Sequence, residues 1–135
     1  MMSDSNKVID SWALIAFLED EPPAKHVEKI ILEALNNQTK LLITSINLGE
    51  VWYSIARAHS EEQADDAVKN IQALGITIVP ADWALTYQAA KLKAHGRIAY
   101  ADCFAAAFSL ITGGELVTGD HEFKQFENLI KINWL

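Results

Sequence analysis

Four acidic side chains in this 135-residue chain close or interrupt apolar runs: Asp10 after Lys7-Val8-Ile9, Glu50 in Asn47-Leu48-Gly49-Glu50-Val51, Asp102 in Tyr100-Ala101-Asp102, and Asp120 after Leu116-Val117-Thr118-Gly119. Carboxylates gathered in one place repel one another unless a cation binds or some of them take up protons. Cys103 is the only cysteine, and the four histidines (His26, His59, His95, His121) share no spacing. Hard oxygen donors of this kind suit Mg²⁺ or Mn²⁺ rather than zinc. Such ions serve phosphoryl chemistry, because they bridge phosphate oxygens, acidify a bound water and stabilise the leaving oxygen. Each acid also has a simpler reading. Asp10 and Asp120 suit a helix cap or a turn, with Ser11 able to cap in place of Asp10. Glu50 shares a helix face with Asn47, Ser54 and Arg57 that water alone could cover. Asp102, the only charge between Ile98 and Thr112, suits the positive first turn of a helix.

The elements that must position these acids alternate. Apolar or β-branched runs predict strands over Lys7 to Asp10, Lys40 to Ser45, Ile76 to Val79, Glu115 to Thr118 and near Ile130 to Trp134. Between them, Ser11 to Glu19 reads as helix. After Pro22-Pro23 a second helix buries Val27, Ile30, Ile31, Ala34 and Leu35. A third, capped by Ser45, carries Leu48, Val51, Trp52, Ile55 and Ala56 on its apolar stripe. Glu61 to Leu74 follows with Ala64, Ala67, Val68 and Ile71 inward and Gly75 as its stop; then Ala81 to His95, ended by Gly96, and the almost wholly apolar Tyr100 to Thr112. A short helix is expected after Gly119-Asp120. Trp52, Trp83 and Tyr87 fall on apolar stripes, which points to core or interface rather than to base stacking. Strands alternating with helices argue for one α/β domain over residues 1–135, a parallel sheet covered on both faces. In such sheets ligands bind beyond the carboxyl ends of the strands. The simpler readings of the four acids leave unexplained why the set lands there.

The formal net charge is −7 and the pI about 4.9, the wrong sign for a broad basic surface that grips nucleic acid. Acidity then means either solubility or a site that cations neutralise; two divalent ions would offset four of the seven surplus charges. A single cysteine excludes an intrachain disulfide and a thiolate cluster. No apolar run approaches the ~20 residues of a membrane helix. The polar stretch Met1 to Lys7 and the acid-interrupted Trp12 to Leu18 do not read as a signal sequence. The expectation is a cytoplasmic protein with no membrane association.

The stretches Val8-Ile9-Asp10-Ser11-Trp12-Ala13-Leu14, Asn47-Leu48-Gly49-Glu50-Val51, Tyr100-Ala101-Asp102 with its alanine-rich helix, and Leu116-Val117-Thr118-Gly119-Asp120, in that order, resemble the PIN-domain nucleases. The likeness is closest to the VapC-type toxins of VapBC toxin–antitoxin systems, and it spans nearly the whole chain. It implies a three-layer α/β/α sandwich with a central, mostly parallel sheet, and a Mg²⁺- or Mn²⁺-dependent endoribonuclease. Asp10 and Asp102 would be the main metal ligands, and Glu50 and Asp120 would complete the acidic cluster. Ser11 and Thr118 would orient acids or waters by their hydroxyls, and Asn47 would sit at the rim. Attack by an activated water in line with the leaving oxygen would leave a 5′-phosphate and a 3′-hydroxyl, with no protein nucleophile. Lys93 and Arg97, with Lys91, precede the Asp102 helix, where they would meet RNA phosphates or simply solvate a helix end. His121, beside Asp120, is the one histidine placed to carry a proton. The implied partners are an RNA substrate, a small antitoxin protein and a second copy of the chain in a homodimer. Trp12 departs from the family, many members of which carry a small hydroxyl residue there.

Rival chemistries fit less well. A phosphatase of the haloacid dehalogenase class needs a second aspartate two residues after the first, where Trp12 stands. A response-regulator receiver needs a lysine after a late strand, and Thr118-Gly119-Asp120 supplies none. A PIN-like domain acting in RNA processing, or as a non-catalytic binding module, is the alternative; retention of all four acids argues against a decayed site.

Overall fold

The short apolar runs become strands β1 (Lys7–Ile9), β2 (Leu41–Thr44), β3 (Ile76–Val79), β4 (Glu115–Thr118) and β5 (Ile132–Trp134) in a computed structural model that describes residues 6–135. Residues 1–5 of the polar N-terminal stretch lie outside the described residues. The strands form one sheet in the order β3-β2-β1-β4-β5, and every pairing is parallel. The mostly parallel sheet expected from the sequence is therefore parallel throughout.

Because side chains alternate along a strand, neighbouring residues serve opposite faces. Ile9, Ile43 and Val117 join a core with α1 (Ser11–Leu18), α2 (Ala24–Asn37), α3 (Ser45–Ala58) and α4 (Glu61–Ala73). Val8 and Leu116 join a second core with α5 (Trp83–His95), α6 (Tyr100–Thr112) and the 3₁₀ helix His121–Phe126. The result is a three-layer α/β/α sandwich. The chain runs outward from β1 through β2 to β3, then crosses back to β4 and β5. The order therefore reverses between β1 and β4, which opens a crevice at their carboxyl ends.

Several local details differ from the sequence reading. Thr44, not Ser45, caps α3: it is the last extended residue of β2, and its hydroxyl accepts the Asn47 N–H at 3.1 Å. Ser45 instead accepts the Ala81 N–H at 3.1 Å. Leu35 is 55% exposed, because the packed face of α2 ends at Val27, Ile30, Ile31 and Ala34. Trp83 is 72% exposed and Tyr87 is exposed too, so neither is a core residue. Trp52 packs partly against the core and donates its indole N–H to Asp65 at 2.9 Å. α5 starts two residues later than expected, because Asp82 caps it by accepting the Leu85 N–H at 2.9 Å. Gly75, at φ +86°, closes α4 in the left-handed conformation that glycine reaches without steric cost. Cys103 is a buried core thiol, and burial pushes its pKa up, away from reactivity.

Candidate active site

Pairing of Ile9 with Val117 brings Asp10 and Thr118 side by side at the ends of β1 and β4. Asp10 itself caps α1, with Oδ1 accepting the Ala13 N–H at 2.9 Å. The alternative in which Ser11 caps that helix does not occur, because the Ser11 hydroxyl donates to Glu50 Oε1 at 2.8 Å. Asp10 Oδ2 accepts the Thr118 hydroxyl, and Thr118 Oγ1 accepts the Asp120 N–H at 3.0 Å. One buried threonine thus fixes two acids. Asp120 Oδ1 in turn accepts the Glu122 N–H at 3.0 Å at the start of the 3₁₀ helix.

On the other side of the crevice, Asn47 joins Glu50 to the Asp102 helix. The expected place for Asn47 was the rim, on a polar helix face. It is instead fully buried, and its amide is fully engaged. Oδ1 accepts the Thr44 hydroxyl at 2.6 Å, while Nδ2 donates to the Ala101 carbonyl at 3.1 Å and to Glu50 Oε1 at 3.4 Å. A helical wheel marks such a residue as polar and cannot show that a neighbouring helix, not water, satisfies it. Asp102, one residue past that carbonyl, lies half-buried in the first turn of α6, where the helix N-terminus favours an anion.

The electrostatics of this corner are unbalanced. Burial pushes the Asp10 carboxyl up to about 7, against the pull of its Thr118 and Ala13 hydrogen bonds and helped by the charges of Asp102 and Asp120. Burial likewise raises Asp102 to about 7, with Glu50, Asp120 and Glu122 adding repulsion. Among the described residues the ion pairs are Lys7–Glu115 and His59–Glu19, so none of the four acids has a cationic side chain to pair with. The donor set is all carboxylate oxygen, the chemistry of a hard divalent cation. No three His, Cys, Asp or Glu side chains among the described residues are already drawn up as a metal cage. Mg²⁺ does not need one, since it keeps several waters and is held through one or two carboxylates. The residues present therefore fit such an ion.

The cations named from the sequence are placed less favourably. The Lys93 ammonium donates to the Ile98 carbonyl at 2.7 Å, and Lys91 lies over the Tyr87 ring at 5.3 Å. Arg97 is exposed, its backbone N–H held by Gln125 Oε1 at 2.9 Å. His121 stacks on Trp134 with ring centroids 5.9 Å apart. Glu122 is an acid that the sequence reading passed over: its charge reaches Asp102, and its only signal was a place two residues after Asp120.

A doubly covered parallel sheet with acidic side chains at its switch point defines the class: a three-layer α/β/α domain with a carboxylate-lined crevice. The PIN domain family matches residues 7–129, and the chain belongs to that family. Comparison with curated proteins finds no match. Among solved structures, the chain is similar to VapBC2 from Rickettsia felis bound to a DNA fragment from their promoter, at 17% identity and TM-score 0.74, covering 96% of this chain and 98% of that one. It is similar to the Mycobacterium tuberculosis sarcin-ricin loop cleaving toxin VapC20, at 12% identity and TM-score 0.70, covering 89% and 94%. VapBC-1 from nontypeable Haemophilus influenzae matches at 18% identity and TM-score 0.71, covering 95% and 96%. At these identities the likeness speaks for the fold.

Proposed function

We propose that the chain, as one nuclease domain over residues 1–135, is a Mg²⁺- or Mn²⁺-dependent endoribonuclease and the toxin of a toxin–antitoxin pair. The observation that supports this reading is that Asp10 and Asp120 share Thr118, that Ser11 and Asn47 tie Glu50 to the same crevice, and that Asp10 and Asp102 are raised by burial and by the neighbouring acids with no cationic ion-pair partner among the described residues. Family membership and neighbours crystallised as VapBC complexes support it. Asp10 and Asp102 would hold the ion, with Glu50 and Asp120 as further ligands directly or through water. A bound divalent ion would polarise the scissile phosphate and acidify a water for in-line attack. Thr118 holds Asp10 in orientation, and Ser11 does the same for Glu50. Asn47 keeps the two helices that carry Glu50 and Asp102 in register. A small antitoxin, a second copy of the chain and a cytoplasmic location complete the proposal.

The test is incubation of the protein with labelled RNA, with and without Mg²⁺ or Mn²⁺, beside the Asp10→Asn and Asp102→Asn variants. Cutting that needs the metal and is lost in both folded variants supports the reading. Phosphatase activity on small esters, or RNA binding without cleavage in any metal, would overturn it.

A further inference from the structure

Beside the acids lies an open cleft of about 700 Å³, lined by Trp12, Gly119, Asp120, His121, Glu122 and Gln125. Trp12 follows Ser11 directly, yet the residue belongs to neither core and is 38% exposed. Its indole N–H has no hydrogen-bond partner among the described residues, whereas those of Trp52 and Trp134 bond to Asp65 and Glu127. The six-membered ring is seated on Gly119: a Cβ there would fall 2.3 Å from Cη2 and Cζ3. Glycine is thus what lets the indole lie against this turn.

The charge of the cleft narrows what it can take. Among the described residues its lining holds two carboxylates and no lysine or arginine, so a phosphate is repelled, while the uncharged face of a nucleobase is not. Aromatic rings offer bases a stacking surface that is tolerant of sequence. The cleft shares Asp120 with the acidic cluster, so a base in it would belong to a nucleotide next to the phosphate held there.

We propose that Trp12, seated on Gly119, is the platform on which the RNA base flanking the scissile phosphate stacks. This deepens the ribonuclease reading and rests on it. Trp12 is a substrate-positioning residue in this account, and it moves no proton.

The test compares two probes: a mixed-sequence single-stranded RNA of twelve nucleotides and an abasic ribose-phosphate chain of equal length. Binding is read by fluorescence anisotropy with Ca²⁺ in place of Mg²⁺ to hold off cutting, for the unaltered protein, Trp12→Ala and Trp12→Phe. The proposal expects Trp12→Ala to weaken RNA binding by about 5- to 100-fold, to leave abasic binding unchanged, and Trp12→Phe to retain most of the affinity. If Trp12→Ala binds both probes as the unaltered protein does, or loses both equally, the stacking role is overturned. Continued cutting of total RNA by the unaltered protein with Mg²⁺ would then leave the ribonuclease reading standing. An unaltered protein that neither binds the RNA nor cuts total RNA overturns both.

Discussion

The two ends of the sheet treat their acids in opposite ways. At the amino end, Glu115 accepts from the Lys7 ammonium at 2.7 Å and from Asn133 Nδ2 at 2.9 Å. Burial alone would raise its carboxyl, but the Lys7 and Asn133 contacts outweigh it and leave Glu115 below the usual range. At the carboxyl end, Asp10 and Asp102 are raised to about 7 and form no ion pair with a lysine or arginine among the described residues. The same fold therefore pairs an acid where only stability is at stake and leaves acids unpaired where β1 and β4 part. Unpaired buried carboxylates cost stability, and a divalent partner would relieve that cost.

The sharpest way to break the contrast is to neutralise each end in turn. Asp10→Asn or Asp102→Asn should lower metal-dependent RNA cutting by at least about 100-fold, since even partners behind metal ligands matter at the 10- to 100-fold level. Lys7→Met and Glu115→Gln, assayed on the same RNA, should leave cutting intact. Next in size, Asn47→Leu removes the links from the Thr44–Asn47 cap to Glu50 and Ala101. Cutting should fall by about 10- to 100-fold, with a lower melting temperature.

The two ends also predict opposite pH responses. Asp10 and Asp102 have folded pKa values raised from 3.8 to about 7. The folded state therefore holds their protons more tightly, and their contribution is full below about pH 4 and lost as pH rises through about 7. Glu115, lowered from 4.5, contributes stability above its unfolded pKa that disappears as pH falls through its folded value. Thermal melts of metal-free protein should show stability falling between about pH 4 and 7 and levelling off above, a slope that shrinks in Asp10→Asn and that added Mg²⁺ counteracts at the alkaline end. A flat or rising profile there would remove the electrostatic basis of the contrast. The smallest effect belongs to Glu115→Gln, which should cost roughly 1–3 kcal/mol in urea unfolding, because the partly buried Lys7 ammonium loses its charged acceptor.

Much of this architecture was legible from the chain. Short apolar runs ending in Asp10 and Thr118-Gly119-Asp120 mark strand ends, and alternation with helices places those ends on one side of a parallel sheet. Helical periodicity was less informative at the edges of stripes. Leu35 and Trp83 continue an apolar pattern past the surface that neighbours actually cover. Asn47 misled in the opposite direction, because only the approach of α6 converts a polar face into a buried one. Ser45 and Thr44 are both capping residues, and the point where β2 ends decides between them. The seating of Trp12 on Gly119 joins residues more than a hundred positions apart, and no local spacing announces it.

The central claim is that the carboxyl-end acids hold a divalent ion together. Its most direct test is Mn²⁺ binding, followed by electron paramagnetic resonance at pH 7.5, in the unaltered protein, Asp10→Asn/Asp102→Asn and Glu115→Gln. The account predicts saturable binding that disappears in the double variant and persists unchanged in Glu115→Gln. Binding that survives loss of both aspartates, or no binding by the unaltered protein, would contradict it.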